Sequence, residues 1–298
     1  MIVVTTPTGQ IGREVLSLLL DADQDGATPV RVVVRDPARL APRDRERVEV
    51  VRGSHADPAV LKEACEGADR IFWLVPPTPG VEDVDGHFRA FTQPLLEVID
   101  SRSGPERVVA VSTLGRGVAR DAGPISASLA MDEAIAATGV HYRALCPPAL
   151  MENLLRQAAP IRDEGVWTEA LAPDRVLRTC AVRDIAAQAA RLLLDPSWTG
   201  YRDVALAGPD DLTPEDMARV VADVLGRPVR LRRITSAELK ATMIRHGATE
   251  AWARAIADMT DAQNTQGFYG ASQPATPGRT PTGFRQWCEE VLAPALRG

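Results

Sequence analysis

The residues best suited to chemistry stand near the first residue, in the run Thr5-Thr6-Pro7-Thr8-Gly9-Gln10-Ile11-Gly12. An apolar stretch, Met1 to Val4, precedes this run, and a helical pattern, Arg13 to Ala22, follows it. At such a strand-to-helix turn, Gly9 lets backbone amides approach a pyrophosphate and Gly12 allows the helix to pack closely on the strand. The helix N-terminus adds positive partial charge. The first glycine usual in such loops is replaced by Thr6, at a turn that favours a residue without a Cβ. The next apolar run, Pro29 to Val34, ends at Arg35 and Asp36. An acidic residue at that place holds a ribose 2′-hydroxyl, whereas an arginine accommodates a 2′-phosphate. Arginine's planar fork suits phosphate oxygens, so Arg35, with Arg13 as further charge, favours NADP(H) over NAD(H).

Groups able to move a proton are few, with three tyrosines and four histidines in the chain. His87 opens the helix expected after the fourth strand and could exchange a proton near neutrality. Ser112, with Thr113 beside it, follows the fifth strand and could hydrogen-bond a substrate carbonyl or the nicotinamide carboxamide. Glu152 and Asn153 follow the sixth strand and could touch substrate, as could Tyr269 from a lid-like loop. His55 is expected beside the adenine site, His141, Tyr142 and Trp73 in packing, and His246 at a polar helix end. The chain contains no His-Glu-x-x-His, no Cys/His cluster and no pair of carboxylates assignable to one cleft, so no metal is expected.

Those residues need a scaffold, and the apolar pattern describes one. Short continuous apolar runs at Val48–Val51, Ile71–Val75 and Val108–Val111, and a strand-like Tyr142–Cys146, alternate with helical periods at Val84–Ile99 and Ser128–Thr138. Strands buried on both faces and separated by helices make a parallel sheet with right-handed crossovers. The fold class is therefore α/β, a doubly wound parallel-sheet Rossmann domain with a smaller C-terminal α/β lobe. The expected division is residues 1–150 for nucleotide binding and 151–298 for a substrate-binding lobe and C-terminal helix. Beyond Asn153, strand-like pieces fall at Asp174–Cys180 and Arg202–Leu206, and helices at Val182–Leu194, Thr213–Leu225, Ser236–His246 and Thr282–Leu296. Pro76, Pro77, Pro147 and Pro148 mark the carboxyl edge of the sheet, where such folds bind ligands.

Composition sets outer bounds. The 298 residues are 45% hydrophobic and 25% charged, and the formal net charge of -6 argues against nucleic acid or anionic membrane as partners. No run reaches the ~18–20 apolar residues of a membrane span, and Met1 leads straight into a strand without signal-peptide character. Cys65, Cys146, Cys180 and Cys288 are scattered, as in reduced thiols, which makes a cytoplasmic location the expectation.

The series of motifs resembles the NmrA-like branch of the atypical short-chain dehydrogenases. It comprises TTPTGQIG, RDPARL, GSHADPAVL, VVAVSTLG, ATGVHYRALCPPALMENLL, CAVRDIAAQAARLLLDP and LAGPDDLTPEDMARVVADVLGRPV, and it spans nearly the whole chain. The resemblance implies that Thr8, Gly9, Gln10, Ile11 and Gly12 contact the pyrophosphate, Arg35 the adenosine phosphate, and Asp57 the neighbourhood of the adenine. It implies Val75, Pro76 and Pro77 along the cofactor, and Pro147–Asn153, Pro148 included, beside the nicotinamide and substrate. Short-chain dehydrogenases generally use a serine and a Tyr-x-x-x-Lys pair on a helix. Here the helix Ser-Ala-Ser-Leu-Ala-Met-Asp-Glu-Ala-Ile-Ala-Ala-Thr-Gly contains neither Tyr nor Lys.

Hydride transfer to a quinone-like or extended enone acceptor does not require a protein acid, because water can supply the proton. The preferred reading is an NADP(H)-dependent oxidoreductase acting on a small conjugated carbonyl or quinone-like molecule, with Ser112 and His87 as catalytic candidates. A non-redox isomerase or cyclase on the same scaffold, and an NADP(H)-sensing protein that acts through a regulatory partner, are the alternatives.

Overall fold

The computed structural model describes residues 1–23, 26–101, 104–267 and 278–297. Strand β1 (Ile2–Thr5) leads into helix α1 (Gln10–Ala22), β2 (Val30–Val34) into the short α2 (Pro42–Arg45), and β3 (Glu49–Arg52) into α3 (Pro58–Cys65). Next come β4 (Arg70–Trp73), α4 (Val84–Ile99), β5 (Arg107–Val111), α5 (Pro124–Ala137) and β6 (His141–Cys146). The following stretch holds β7 (Ala149–Leu150), α6 (Ala158–Glu164), β8 (Val166–Glu169), β9 (Thr179–Cys180), α7 (Val182–Leu194) and β10 (Tyr201–Ala207). The chain closes with α8 (Pro214–Leu225), β11 (Arg230–Arg233), α9 (Ser236–Arg245), α10 (Glu250–Gln266), β12 (Gly278–Arg279), α11 (Phe284–Trp287) and α12 (Ala293–Arg297).

Eight strands make one sheet in the order β12-β10-β6-β5-β4-β1-β2-β3, with every neighbouring pair parallel. Alternate residues feed two apolar layers, because successive strand side chains point to opposite faces. Val3, Ile71 and Trp73 join α3, α4 and α5 on one side, while Ile2, Val4 and Phe72 join α1 and α7 on the other. Both faces are therefore dry, which accounts for the unbroken valine and isoleucine runs.

The sheet does not end at residue 150, contrary to the expected division. Helix α7 packs beside α1, and Tyr201–Ala205 of β10 pair with Tyr142–Cys146 of β6. Without β10 the buried β6 would present an unpaired edge. The smaller lobe is thus α6, β8, α8, β11, α9 and α10, inserted around a returning piece of the main sheet. Its own two-stranded sheet, β8 with β11, and the whole of α10 carry no counterpart in the sequence reading. Of the expected strand Asp174–Cys180, Thr179–Cys180 pairs with β7, and Leu177 makes an isolated antiparallel bridge to Leu212.

A buried polar cluster crosses the sheet's helical cover. Asp132 of α5 is fully buried and accepts hydrogen bonds from Ser112 Oγ, from Tyr142 Oη at 2.5 Å and from Arg116 Nη2 at 2.7 Å. Arg116 Nε also donates to Asp203 Oδ2 on β10 at 2.8 Å. One carboxylate thereby ties the end of β5, α5, β6 and, through Arg116, β10. Burial pushes the Asp132 carboxyl up to about 6, against the opposing pull of Ser112, Tyr142 and Arg116.

The turn after β1 is the tightest point of the fold. A Cβ on Gly12 would lie 2.1 Å from the carbonyl oxygen of Thr6, so only glycine lets α1 cross here. Thr6 itself sits at φ +52°, the left-handed region its branched side chain disfavours, and its Oγ1 is buried with no partner among the described residues. The neighbouring Thr5 Oγ1 donates to Phe72 O at 2.9 Å and accepts from Leu74 N at 3.3 Å, binding β1 to the exit of β4.

Three outcomes are expected in denaturant titrations. Gly12→Ala should cost roughly 3 kcal/mol, since backbone and not a flexible side chain opposes the new methyl. Thr6→Gly should stabilise by about 1 kcal/mol, as relief of the strained φ and of the unpaired hydroxyl exceeds glycine's extra chain entropy. Folded Asp132 holds its proton to about pH 6 and an unfolded aspartate only to 3.8. The folded state therefore binds the extra proton between these values, and this group's contribution to stability falls as pH rises through that window. Asp132→Asn should abolish that slope; an unchanged slope would assign it to another group.

Candidate functional site

The sequence order of the strands reverses between β1 and β4, and the loops after these two strands open a crevice at the carboxyl edge. A cavity of about 510 Å³ occupies it. Thr6, Thr8 and Gly9 form its floor, Arg35 and Arg39 one end, and Pro76, Pro77 and His87 the other side. The Gly9 amide closes the turn by donating to Thr6 O at 2.9 Å. Beyond Gly9 the free amides of the first turn of the 13-residue α1 begin. This glycine cradle, the helix N-terminus and the two arginines fit a phosphorylated dinucleotide.

At the adenosine end the acidic neighbour of Arg35 is already engaged. Asp36 Oδ1 accepts from Ala38 N at 3.1 Å and caps a short 3-10 turn, Pro37–Arg39, that brings Arg39 round to the cavity. Arg39 was not among the expected cofactor residues. Its signal was its place four residues after Arg35 in Arg-Asp-Pro-Ala-Arg, which the turn converts into proximity.

Two histidines line the opposite wall, and each is held by a backbone carbonyl. His87 Nε2 lies 2.9 Å from Pro76 O, and His55 Nε2 lies 3.0 Å from Leu74 O. A carbonyl only accepts, so the proton in each pair belongs to Nε2. Phe91 stands between the rings, 4.6 Å from His55 and 4.9 Å from His87. Desolvation lowers His55 to about 4, which leaves it neutral in ordinary buffers.

The structure brings only part of the expected set into this cleft. Gln10, Ile11 and Gly12 form the first turn of α1, where Ile11 turns its side chain into the core and leaves only backbone to meet a phosphate. Val75 is buried in the core beside Pro76. Asp57 is exposed and caps α3, accepting from Ala59 N at 2.9 Å, so its carboxylate serves the helix rather than the cleft lining. Ser112 commits its hydroxyl proton to Asp132, and neither it nor the buried Thr113 lines the two cavities described here.

A second cavity, about 320 Å³, lies beyond the carboxyl end of β6 and under the smaller lobe. Pro148 and Asn153 line it, as expected of substrate residues. Glu152 does not. Its Oε2 accepts from Val182 N at 3.0 Å and its Oε1 from Trp287 Nε1 at 3.1 Å, so it fastens the start of α7 to α11. Burial raises its pKa despite these donors. Tyr269 lies outside the described residues. Part of the remaining lining comes from elements the sequence reading missed: Trp167 and Glu169 from β8, and Ile256, Met259, Thr260 and Gln263 from α10. Strand β5 alone separates β4 from β6, so the ends of these two strands, beside the two cavities, stand about 10 Å apart on one sheet edge.

The lobe is anchored to the cleft. Thr249, which caps α10, donates from N to Pro79 O at 2.9 Å and from Oγ1 to Val81 O. The four cysteines are buried without disulfides, and burial pushes the thiols of Cys65, Cys180 and Cys288 up to about 12. Among the described residues no helix is long and apolar enough to cross a membrane.

Comparison with known proteins agrees with this geometry. A family model described as NAD(P)H-binding matches residues 7–196. The (4-alkanoyl-5-oxo-2,5-dihydrofuran-3-yl)methyl phosphate reductase of Streptomyces griseus is 31% identical, over 97% of each chain. The NAD(P)H azoreductase of Xenophilus azovorans is 30% identical over 87% of this chain and 86% of its own. The NADPH-dependent quinone oxidoreductase of Escherichia coli, solved with NADPH, superposes with a TM-score of 0.78 at 22% identity, over 98% of this chain and 99% of that one. The chain belongs to the NAD(P)H-binding family of Rossmann-type, NAD(P)H-dependent reductases.

Proposed function

We propose that the chain is an NADPH-preferring reductase that acts on a small conjugated carbonyl or quinone-like molecule held in the cavity beyond β6. The observation that carries this reading is the pairing of two cavities on one sheet edge. One adjoins the Gly9–Gly12 turn and ends in Arg35 and Arg39; the other is lined by Trp167, Leu171, Met217 and Met259, beyond the end of β6 on the same sheet edge. Bound NADPH supplies the hydride. The residues of this chain bind and orient. The Gly9–Gly12 turn receives the pyrophosphate on backbone amides, and the two guanidinium groups receive a 2′-phosphate. Pro76 and Pro77, with His87 fixed against Pro76 O, stiffen the wall along which the dinucleotide lies.

Proton supply follows from what the hydroxyls and rings already do. Ser112 holds Asp132 and positions the end of β5, so it is not a free donor. His87 commits its Nε2–H to the Pro76 carbonyl, so that proton is already engaged. A quinone-like acceptor suits such a site, because its reduced oxygen can take a proton from water. The same commitments, with no Tyr or Lys on α5, support a second reading, a sensor that binds NADPH without turnover.

Mixing the protein with NADPH and a quinone panel, and following the reduced-nicotinamide absorbance, separates the two. Steady oxidation supports the reductase, and binding without oxidation supports the sensor. Arg35→Ala should weaken NADPH by roughly 1.5–3 kcal/mol more than NADH, because only NADPH loses a charge-assisted phosphate contact. Equal losses for both cofactors would remove the case for the 2′-phosphate.

A further inference from the structure

We infer that the cavity beyond β6 admits neutral or cationic flat molecules and rejects phosphorylated or carboxylated ones, with Glu169 as the selecting residue. The inference rests on reading that cavity as the substrate site. Glu169 ends β8 and is the only charged side chain in the cavity lining among the described residues. Its Oε1 is held by two backbone amides, Ala170 N at 2.8 Å and Leu171 N at 3.1 Å. Neither oxygen is engaged by a cation, although Arg233 is its register partner on β11. Arg178, adjacent to the lining residue Thr179, turns its guanidinium to Asp211 at 2.9 Å. Residues 268–277 contain no charged residue either, so that stretch can add no counter-ion.

An anion entering this space would lose hydration among side chains such as Trp167, Met217 and Met259, meet no cation, and face a fixed carboxyl group. A neutral ring loses little there, and soft thioethers pack well on it. A cationic or N–H-bearing ring gains Glu169 Oε2 as partner. The Streptomyces griseus relative is named for a phosphate-bearing substrate. The lining of this chain's cavity offers no cationic side chain to such a phosphate among the described residues.

The test is calorimetric titration at pH 8 with three probes that share one naphthoquinone core. One probe is uncharged, one carries a sulfonate and one a trimethylammonium group. The parent should bind the sulfonate at least about tenfold more weakly than either other probe, a difference of ~1.4 kcal/mol. Glu169→Gln keeps an oxygen for the two amides while removing the charge, and it should shrink the cation-to-anion affinity ratio about tenfold. A sulfonate bound as tightly as the neutral probe, or a ratio unmoved in Glu169→Gln, overturns the charge rule. The reductase reading would survive that result if NADPH oxidation by the neutral quinone continues. Absence of binding by all three probes, with no NADPH oxidation, overturns both.

Discussion

The fold depends on how near α1 comes to β1. The Thr6 carbonyl and the backbone of Gly12 occupy almost the space of one methyl group, and that proximity sets the direction of the first helix. Once α1 is so placed, its apolar stripe of Val15, Leu16, Leu19 and Leu20 covers one face of the sheet and α7 can lie alongside. The same closeness turns the first amides of α1 towards the crevice between β1 and β4. Packing and phosphate recognition thus derive from one short contact. Thr6 tolerates its left-handed backbone because Thr5, one residue earlier, is bonded on both sides to the exit of β4.

The helix that commonly supplies a proton relay in this superfamily has a structural role here. In place of Tyr and Lys, α5 carries Asp132, and the carboxylate draws Ser112, Tyr142 and Arg116 into one buried knot. Such a knot is costly to break, since the buried Ser112 and Tyr142 hydroxyls would lose their carboxylate acceptor in a dry environment, while Arg116 keeps Asp203. It makes the sheet edge beneath the two cavities rigid. It also engages the hydroxyl proton of the serine that element position alone would nominate for chemistry.

Much of this was legible in the residues, and the limits have physical causes. Strands buried on both faces announce themselves as apolar runs, so β1 to β6 and the turn at Gly9–Gly12 could be read directly. Helix α7 was equally plain because Ile185, Ala186, Ala189 and Leu193 keep a helical period. What could not be read was where β10 and α7 would return, because pairing partners leave no local mark. Helix α10 escaped because, Trp252 apart, its buried residues are Ala253, Ala257, Thr260, Ala262 and Gln263, small or polar side chains with little apolar contrast. β11 escaped because Arg230–Arg233 is mostly charged and exposed. Glu169 stands on β8, which pairs with β11, and α10 supplies Ile256, Met259, Thr260 and Gln263, so this part of the second cavity had no signature in the chain. Asp57 and Glu152 both accept from backbone amides, a use of a carboxylate that the residue type alone does not mark.

Helix α10 links two regions that the topology otherwise separates. Its first residues are sewn to the carbonyls of Pro79 and Val81, on the rim of the dinucleotide cleft, and its later turns supply Met259, Thr260 and Gln263 to the second cavity. A helix of 17 residues is a rod about 25 Å long that bends little. One rigid element thus holds both the rim of the dinucleotide cleft and part of the second cavity's wall, so the two spaces share a common support.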